Sequence, residues 1–362
     1  MTLRLDAVSK VVEGRTHIEP TTLTLERGHF NVLLGATGAG KTSLIKMMAG
    51  LDPIASGRVI LDGEDVTRQT PQKRRISLVH QFFVNYPHMT VRQNIASPLK
   101  VAGMSRSEID GRVAEAADLL QLTPMLDRHP HELSGGQQQR CALARAIAKD
   151  SRAVFLDEPL ANLDYKLREE LRAQLPELFA GRGAVVVYAT SEPEEALLLG
   201  GETALMADGR VSQFGPTAAI YRAPASLDAA RIFSDPPINA APVVVSDGRA
   251  RLGDATWAAP LPDGAYRFAI RPHHVLPHPT RGPGGRDVTL RGTVGVTELS
   301  GSESSAHFQL DGPDGPLAWV SLAHGVHPYR IGEAHDFHMD PANGYWFDPQ
   351  GRAVATPATE AA

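Results

Sequence analysis

The chain has 362 residues and a formal net charge of −5, long enough for two domains that each bury a core. Its apolar fraction of 42% and charged fraction of 21% exclude collagen, coiled coil and disorder. The single cysteine, Cys141, excludes an internal disulfide framework and fits a reducing compartment, and the mild acidity offers nothing to nucleic acid.

The first residues, MTLRLDAVSK, alternate apolar and polar side chains and lack the apolar core of a signal peptide. No apolar run approaches the roughly 18–20 residues needed to cross a bilayer. The expectation is a chain that stays where it is made and meets a membrane through other proteins. Up to about Ser234, short β-branched runs alternate with longer helical patterns, which predicts an α/β domain. Phe30 to Leu34, Ala153 to Leu156 and Ala184 to Tyr188 have the unbroken apolar character of central parallel strands. Ser43 to Met48, Arg106 to Leu122 and Gln137 to Lys149 carry helical patterns.

Between the strand at 30–34 and the helix that follows lies Gly35-Ala36-Thr37-Gly38-Ala39-Gly40-Lys41-Thr42, a match to G-x-x-x-x-G-K-[ST]. Small residues let backbone N–H groups curl around phosphate oxygens, and the next helix turns its positive end toward them. Lys41 adds a point charge for the β and γ phosphates, and the Thr42 hydroxyl can ligate Mg²⁺. Gly35, Thr37, Gly38, Ala39, Gly40, Lys41, Thr42 and Ser43 are therefore the candidate phosphate contacts. Further on, the strand at 153–156 runs into Asp157-Glu158-Pro159. Two acids closing an apolar strand are costly unless a cation meets them. Mg²⁺ bound through Asp157 offsets that cost and leaves Glu158 to orient or deprotonate an attacking water.

Leu133-Ser134-Gly135-Gly136-Gln137, followed by Gln138, Gln139 and Arg140, is the most specific motif, with Ser134 standing 23 residues before Asp157. It resembles the LSGGQ signature of ABC ATPases. The resemblance implies an ATP-binding dimer in which Ser134, Gly136 and Gln137 contact the nucleotide held by the other subunit. It also implies a P-loop NTPase domain with a helical subdomain. Gln81, in VHQFFVNYPHMTV, is similar to the glutamine that senses Mg²⁺ beside the docking surface for the membrane subunit. Ala161-Asn162-Leu163-Asp164 resembles the dimer-crossing D-loop.

Two positions depart from the family. Where it usually has a γ-phosphate-sensing histidine, this chain has Ser191, within Thr190-Ser191-Glu192-Pro193. Serine is shorter and carries no positive charge, so it reaches the phosphate only through water. At the adenine-stacking aromatic stands Val12, which offers an apolar contact alone. These departures predict a slow site of the chain's own and an unequal partner ATPase, although a homodimer is also open.

Past Asp235-Pro236-Pro237 the pattern becomes short strands broken by glycine and proline, which predicts a small antiparallel barrel or sandwich. The domains are expected at 1–235 and 236–362. Pro277 to Arg286 reads as loop, and the residues from about Pro357 as a frayed tail. His273, His274 and His278 lie among prolines without the carboxylates or thiols of a metal site and are expected to face solvent. Cys141 is expected as a small buried side chain. From residue 236 onward there are nine arginines, no lysines and thirteen acids, which argues against a nucleic-acid-binding barrel. DPPINAAPV, FAIRPHHV and TELSGSESSAHFQL resemble the oligonucleotide/oligosaccharide-binding-fold regulatory domain of maltose-type importers. TLTLERGHFNVLLG and ATSEPEEALLLGG are similar to the ATPases of bacterial glycerol-uptake systems.

Together the resemblances imply an ATPase, using ATP and Mg²⁺, that energises import of a sugar or polyol. They imply a peripheral place on the cytoplasmic face of the inner membrane, with two permease subunits, a second ATPase and, indirectly, a periplasmic substrate-binding protein. Two alternatives remain at this point. One is a nucleotide-gated regulatory or structural subunit with little hydrolysis. The other is a soluble ABC ATPase of DNA repair or translation.

Overall fold

The computed structural model describes residues 2–81, 84–161, 163–179, 183–279, 286–313 and 315–357. Phe82, Phe83, Asn162, most of the 277–286 segment and the tail from 358 lie outside the described residues. Packing divides the chain into two compact units, Met1–Thr217 and Ala218–Ala362.

The first unit contains two sheets. An antiparallel sheet has strands in the order Arg15–Glu26, Thr2–Val12, Ser56–Leu61 and Glu64–Asp65. In its second strand Leu3 and Leu5 turn inward with the period-2 alternation of a sheet with one covered face, and a register shift moves the next inward position to Val8. The other sheet runs Arg210–Pro216, Glu202–Ala207, Phe30–Leu34, Val185–Thr190, Ala153–Asp157 and Ile76–Val79. Its four strands at 30–34, 76–79, 153–157 and 185–190 are parallel neighbours. Three of them are buried at every residue, as the unbroken apolar runs predict.

Helix Lys41–Ala49 lies in the same apolar core as both sheets, through Leu44, Ile45, Met47, Met48 and Ala49. Its C-terminal carbonyls are met by buried Arg74, which donates to Met47 O at 3.0 Å and Met48 O at 2.6 Å, a favourable cation at the negative end of a helix.

Helices Val91–Val101, Arg106–Leu119 and Gly135–Ala148 pack on one another. Each begins at a reciprocal capping box: Thr90 with Gln93, Ser105 with Glu108, Ser134 with Gln137. The last box explains why the helix expected from Gln137 starts at Gly135. Buried Asn94 donates to the carbonyls of Tyr86, Met89 and Thr90 and accepts from Tyr86 N–H, so it anchors the segment that follows Gln81. No helix among the described residues is long and apolar enough to cross a membrane.

The second unit is largely antiparallel β-structure around one core that includes Trp257, Phe268, Phe308, Trp319, Phe337 and Trp346. One sheet has the order Ala255–Ala258, Arg249–Leu252, Asn239–Ser246, Gly264–Ile270, Tyr345–Phe347 and Ala353–Ala355. The other runs Val275–Leu276, Ala334–Met339, Val288–Leu299, Glu303–Gly312 and Gly315–His324. The units divide at 217/218, whereas composition suggested 235/236. Arg271 accounts for the difference. Buried at 2% exposure, it donates to Phe233 O at 2.7 Å and Tyr221 O at 2.9 Å and lies 3.7 Å from the centre of the Tyr221 ring. Leu227 and Ala230 share a core with Ile238, Tyr345 and Phe347. The helical residues before the proline pair are thereby tied into the β-unit. His273 and His278 are exposed and His274 is half-buried.

Candidate nucleotide site

The phosphate loop leaves the strand Phe30–Leu34 at the C-terminal edge of the parallel sheet, the place where such sheets receive ligands. Two of its glycines are demanded by sterics. A Cβ on Gly35 would lie 2.2 Å from Met206 O. Gly40 has φ +101°, and a Cβ there would lie 2.6 Å from Ile18 Cδ1. Thr37 and Gly38 are exposed, whereas Ala39 is buried and donates its N–H to Ala36 O at 3.0 Å. The loop is thus pinned from behind and open at its tip.

Lys41 is only 4% exposed and reaches three acceptors: Gly35 O at 2.7 Å, Ala36 O at 3.1 Å and Glu158 Oε1 at 3.4 Å. Thr42 Oγ1 donates to Asp157 Oδ1 at 3.0 Å. Asp157 is buried, and burial pushes its carboxyl above the usual range. The Thr42 hydrogen bond pulls it back, as do the charges of His80 and Lys41, while Glu158 pushes it up. A hydroxyl and a buried carboxylate at this spacing are the hard oxygen donors that Mg²⁺ takes.

Glu158 sits in the left-handed region, φ 47°, which is rare outside glycine. Its N–H donates to Ala189 O at 3.0 Å, and the turn brings its carboxylate back over the loop. There one oxygen meets Lys41 and the other accepts from Gln81 Nε2 at 3.0 Å. Lys41, Thr42, Gln81, Asp157 and Glu158, drawn from three separate stretches of sequence, form one constellation.

Ser191 follows the strand Val185–Thr190 and is exposed. Its neighbour Glu192 is held by Arg168, whose Nη1 lies 3.0 Å from Glu192 Oε1 and whose Nη2 donates to Ala161 O at 3.4 Å. One guanidinium therefore joins the D-loop segment to the segment that carries Ser191. Val12 is 44% exposed at the end of its strand. Nothing among its described contacts distinguishes it as a stacking surface.

Ser134 is exposed and uses its side chain within its own helix, accepting from Gln137 N–H at 3.3 Å while Gln137 Oε1 accepts from Ser134 N–H at 3.0 Å. Gly136 and Gln137 occupy the first turn beside it. Buried Gln139 on the same helix donates to Pro159 O, so the signature helix is connected to the turn that holds Glu158. Cys141 is buried, which pushes its thiol up to about 11 and leaves it unreactive at neutral pH.

Two histidines near the loop escaped the sequence reading. His17 Nε2 lies 2.8 Å from Ser43 Oγ, and no local motif signals that contact. His80 directly precedes Gln81, and the parallel pairing of its strand with Ala153–Asp157 was the signal that could have found it.

A family model described as ABC transporter matches residues 18–161, and one described as TOBE domain matches residues 268–347. The chain is 36% identical to the sn-glycerol-3-phosphate import ATP-binding protein UgpC of Paracoccus denitrificans, over 97% of this chain and 98% of the relative. It is 41% identical to a UgpC 3 of Rhizobium etli, over 80% of this chain and 81% of the relative. Among solved structures, the ATP-binding cassette MJ0796, in a dimeric post-hydrolysis state bound to ADP and Pi, matches with a TM-score of 0.55 and 27% identity. That match covers 59% of this chain and 98% of the other.

Proposed function

Since the chain belongs to the ABC transporter ATP-binding proteins, an ATPase family, we propose that it energises import of sn-glycerol-3-phosphate and that Lys41, Thr42, Gln81, Asp157 and Glu158 run its ATP site. The observation that carries the site assignment is the convergence of Lys41 Nζ, Glu158 and Gln81 within 3.4 Å and 3.0 Å contacts beside the Thr42–Asp157 pair. The substrate assignment rests on the names of relatives 36–41% identical to this chain, and it refines the sugar-or-polyol reading to a phosphorylated polyol.

In this reading the backbone of Gly35 to Lys41 and the start of helix Lys41–Ala49 hold the phosphates. Lys41 exchanges its contacts with Gly35 O, Ala36 O and Glu158 for phosphate oxygens, which frees the Glu158 carboxylate. Thr42 and Asp157 would hold Mg²⁺, which supplies charge neutralisation at the phosphates when bound. Glu158 orients a water in line with the γ-phosphorus and accepts its proton as the new P–O bond forms. The bond to the bridging oxygen breaks, giving ADP and phosphate. Gln81, hydrogen-bonded to Glu158, reports the state of the site to the segment 84–90 that Asn94 anchors.

Ser134, exposed, and Gly136 and Gln137, half-buried, form a helix N-terminus, and a second ATP-binding chain supplies the nucleotide they face. Ser191 offers no ring nitrogen at the γ-phosphate, which supports a partner of a different sequence whose site this signature completes. Two permease subunits at the cytoplasmic face of the inner membrane, and a periplasmic binding protein beyond them, complete the assembly. The test is uptake of radiolabelled sn-glycerol-3-phosphate by cells lacking this chain. Complementation by the parent but not by Lys41→Ala supports the reading. Unaltered uptake in the deletion strain, with loss of another solute's uptake, refutes the substrate.

A further inference from the structure

His80 directly follows Ile76–Val79, the edge strand of the parallel sheet. In the pairing of Ile76–Val79 with Ala153–Asp157, Val79 lies opposite Leu156, and the next step of the register brings His80 alongside Asp157. Two further observations mark the imidazole. Its Nδ1 is shut off from solvent and has no hydrogen-bond partner, a state that folded proteins rarely tolerate without a reason. It is also among the groups that Asp157 feels, after burial and the Thr42 hydroxyl. Thr42 takes Oδ1 of that carboxylate, which leaves Oδ2 for another donor. On the opposite flank of Asp157, the strand Val185–Thr190 runs out into Ser191, which brings no ring to the site.

We propose that His80 is a positioning residue of the nucleotide site, whose imidazole holds the second carboxylate oxygen of Asp157 so that the first is presented to Mg²⁺. Partners one shell beyond a metal ligand fix the ligand's orientation, and their loss typically lowers metal affinity about 10–100-fold. The inference rests on the Mg²⁺ role proposed for Thr42 and Asp157, and it assigns this chain a histidine at its metal side in place of one at position 191.

The experiment titrates Mg²⁺ into the full chain with a fluorescent ATP analogue and reads the Mg²⁺ concentration at half-maximal nucleotide binding. His80→Phe keeps a ring and removes both nitrogens. His80→Asn places an amide nitrogen near the position of Nδ1. The expected result is a midpoint raised about 10-fold in His80→Phe and largely restored in His80→Asn, with nucleotide binding in EDTA equal in all three proteins. If His80→Phe does not fold, His80→Gln, whose amide sits out at the Nε2 position, is expected to show the same shift. Asp157→Asn separates this idea from the one beneath it. Should Asp157→Asn retain the parent's Mg²⁺ dependence, the metal assignment itself fails. Loss of Mg²⁺ dependence in Asp157→Asn with an unmoved midpoint in His80→Phe overturns the role of His80 alone. A shift matched by equal weakening in EDTA, unrescued by His80→Asn, also overturns it, because that is the mark of a structural histidine.

Discussion

Glu158 combines a catalytic assignment with an unfavourable backbone, and the two can be separated by comparing Glu158→Gly with Glu158→Ala. Both substitutions remove the carboxylate. Both therefore break its contacts with Lys41 at 3.4 Å and Gln81 at 3.0 Å. Whatever that costs is common to the pair and cancels in the difference. What remains is the backbone at φ 47°. An L-residue held there costs about 1–2 kcal/mol that glycine does not incur. Glycine in turn gives back about 0.4–1 kcal/mol through the greater freedom of its unfolded chain. The net expectation is that the glycine variant is the more stable by about 0.5–1 kcal/mol. For a unit of this size that is about 1–4 °C in Tm, measurable by calorimetry on the two variants side by side, while both lose ATP hydrolysis. An alanine variant as stable as the glycine variant, or more so, refutes the claim that the turn stores strain to aim the carboxylate.

Thr42→Val removes the hydrogen bond to buried Asp157 and is expected to cost about 1–3 kcal/mol at pH 7. Because burial already raises the Asp157 carboxyl, the charge-dependent part of that cost is absent below the unfolded value near pH 4 and grows as pH rises through the folded value. Thermal melts should therefore show a larger gap between parent and variant at pH 7 than at pH 4, and an equal or reversed gap argues against a buried ionised partner. Gly40→Ala forces a Cβ against Ile18 at a backbone angle of φ +101° and should cost about 1–3 kcal/mol. Nucleotide binding should be lost by calorimetric titration, and retained affinity would mean the loop relaxes freely. Ser191→His should raise steady-state ATP turnover about 10-fold. Unchanged turnover would show that the missing ring does not limit this site.

The parts of the site legible in the sequence are those whose chemistry is local. The turn from 35 to 42, the acids closing the strand at 153–157 and the capping serine of the signature each depend on neighbours within a few residues, so residue type and spacing expose them. Unbroken apolar runs likewise placed the buried strands. The partnerships between these parts were not legible. Gln81 on Glu158, Arg168 between Ala161 and Glu192, and His80 beside Asp157 arise from the order in which parallel strands pair, and a single sequence does not state that order. The division into compact units at 217/218 was not legible for a similar reason. Asp235-Pro236-Pro237 is the conspicuous punctuation, but the boundary is decided by Arg271 reaching back to Tyr221 and Phe233, across 50 and 38 residues.

The central claim is that this chain hydrolyses ATP through Glu158 at a site whose phosphate grip is independent of that carboxylate. Single-turnover hydrolysis of γ-labelled ATP with Mg²⁺, with the chain in excess over nucleotide, tests it directly by comparing the parent with Glu158→Gln. The prediction is ATP binding within about 3-fold of the parent and a cleavage rate lower by about 10²–10⁴-fold. Cleavage at the parent rate, or loss of binding along with cleavage, would contradict the account.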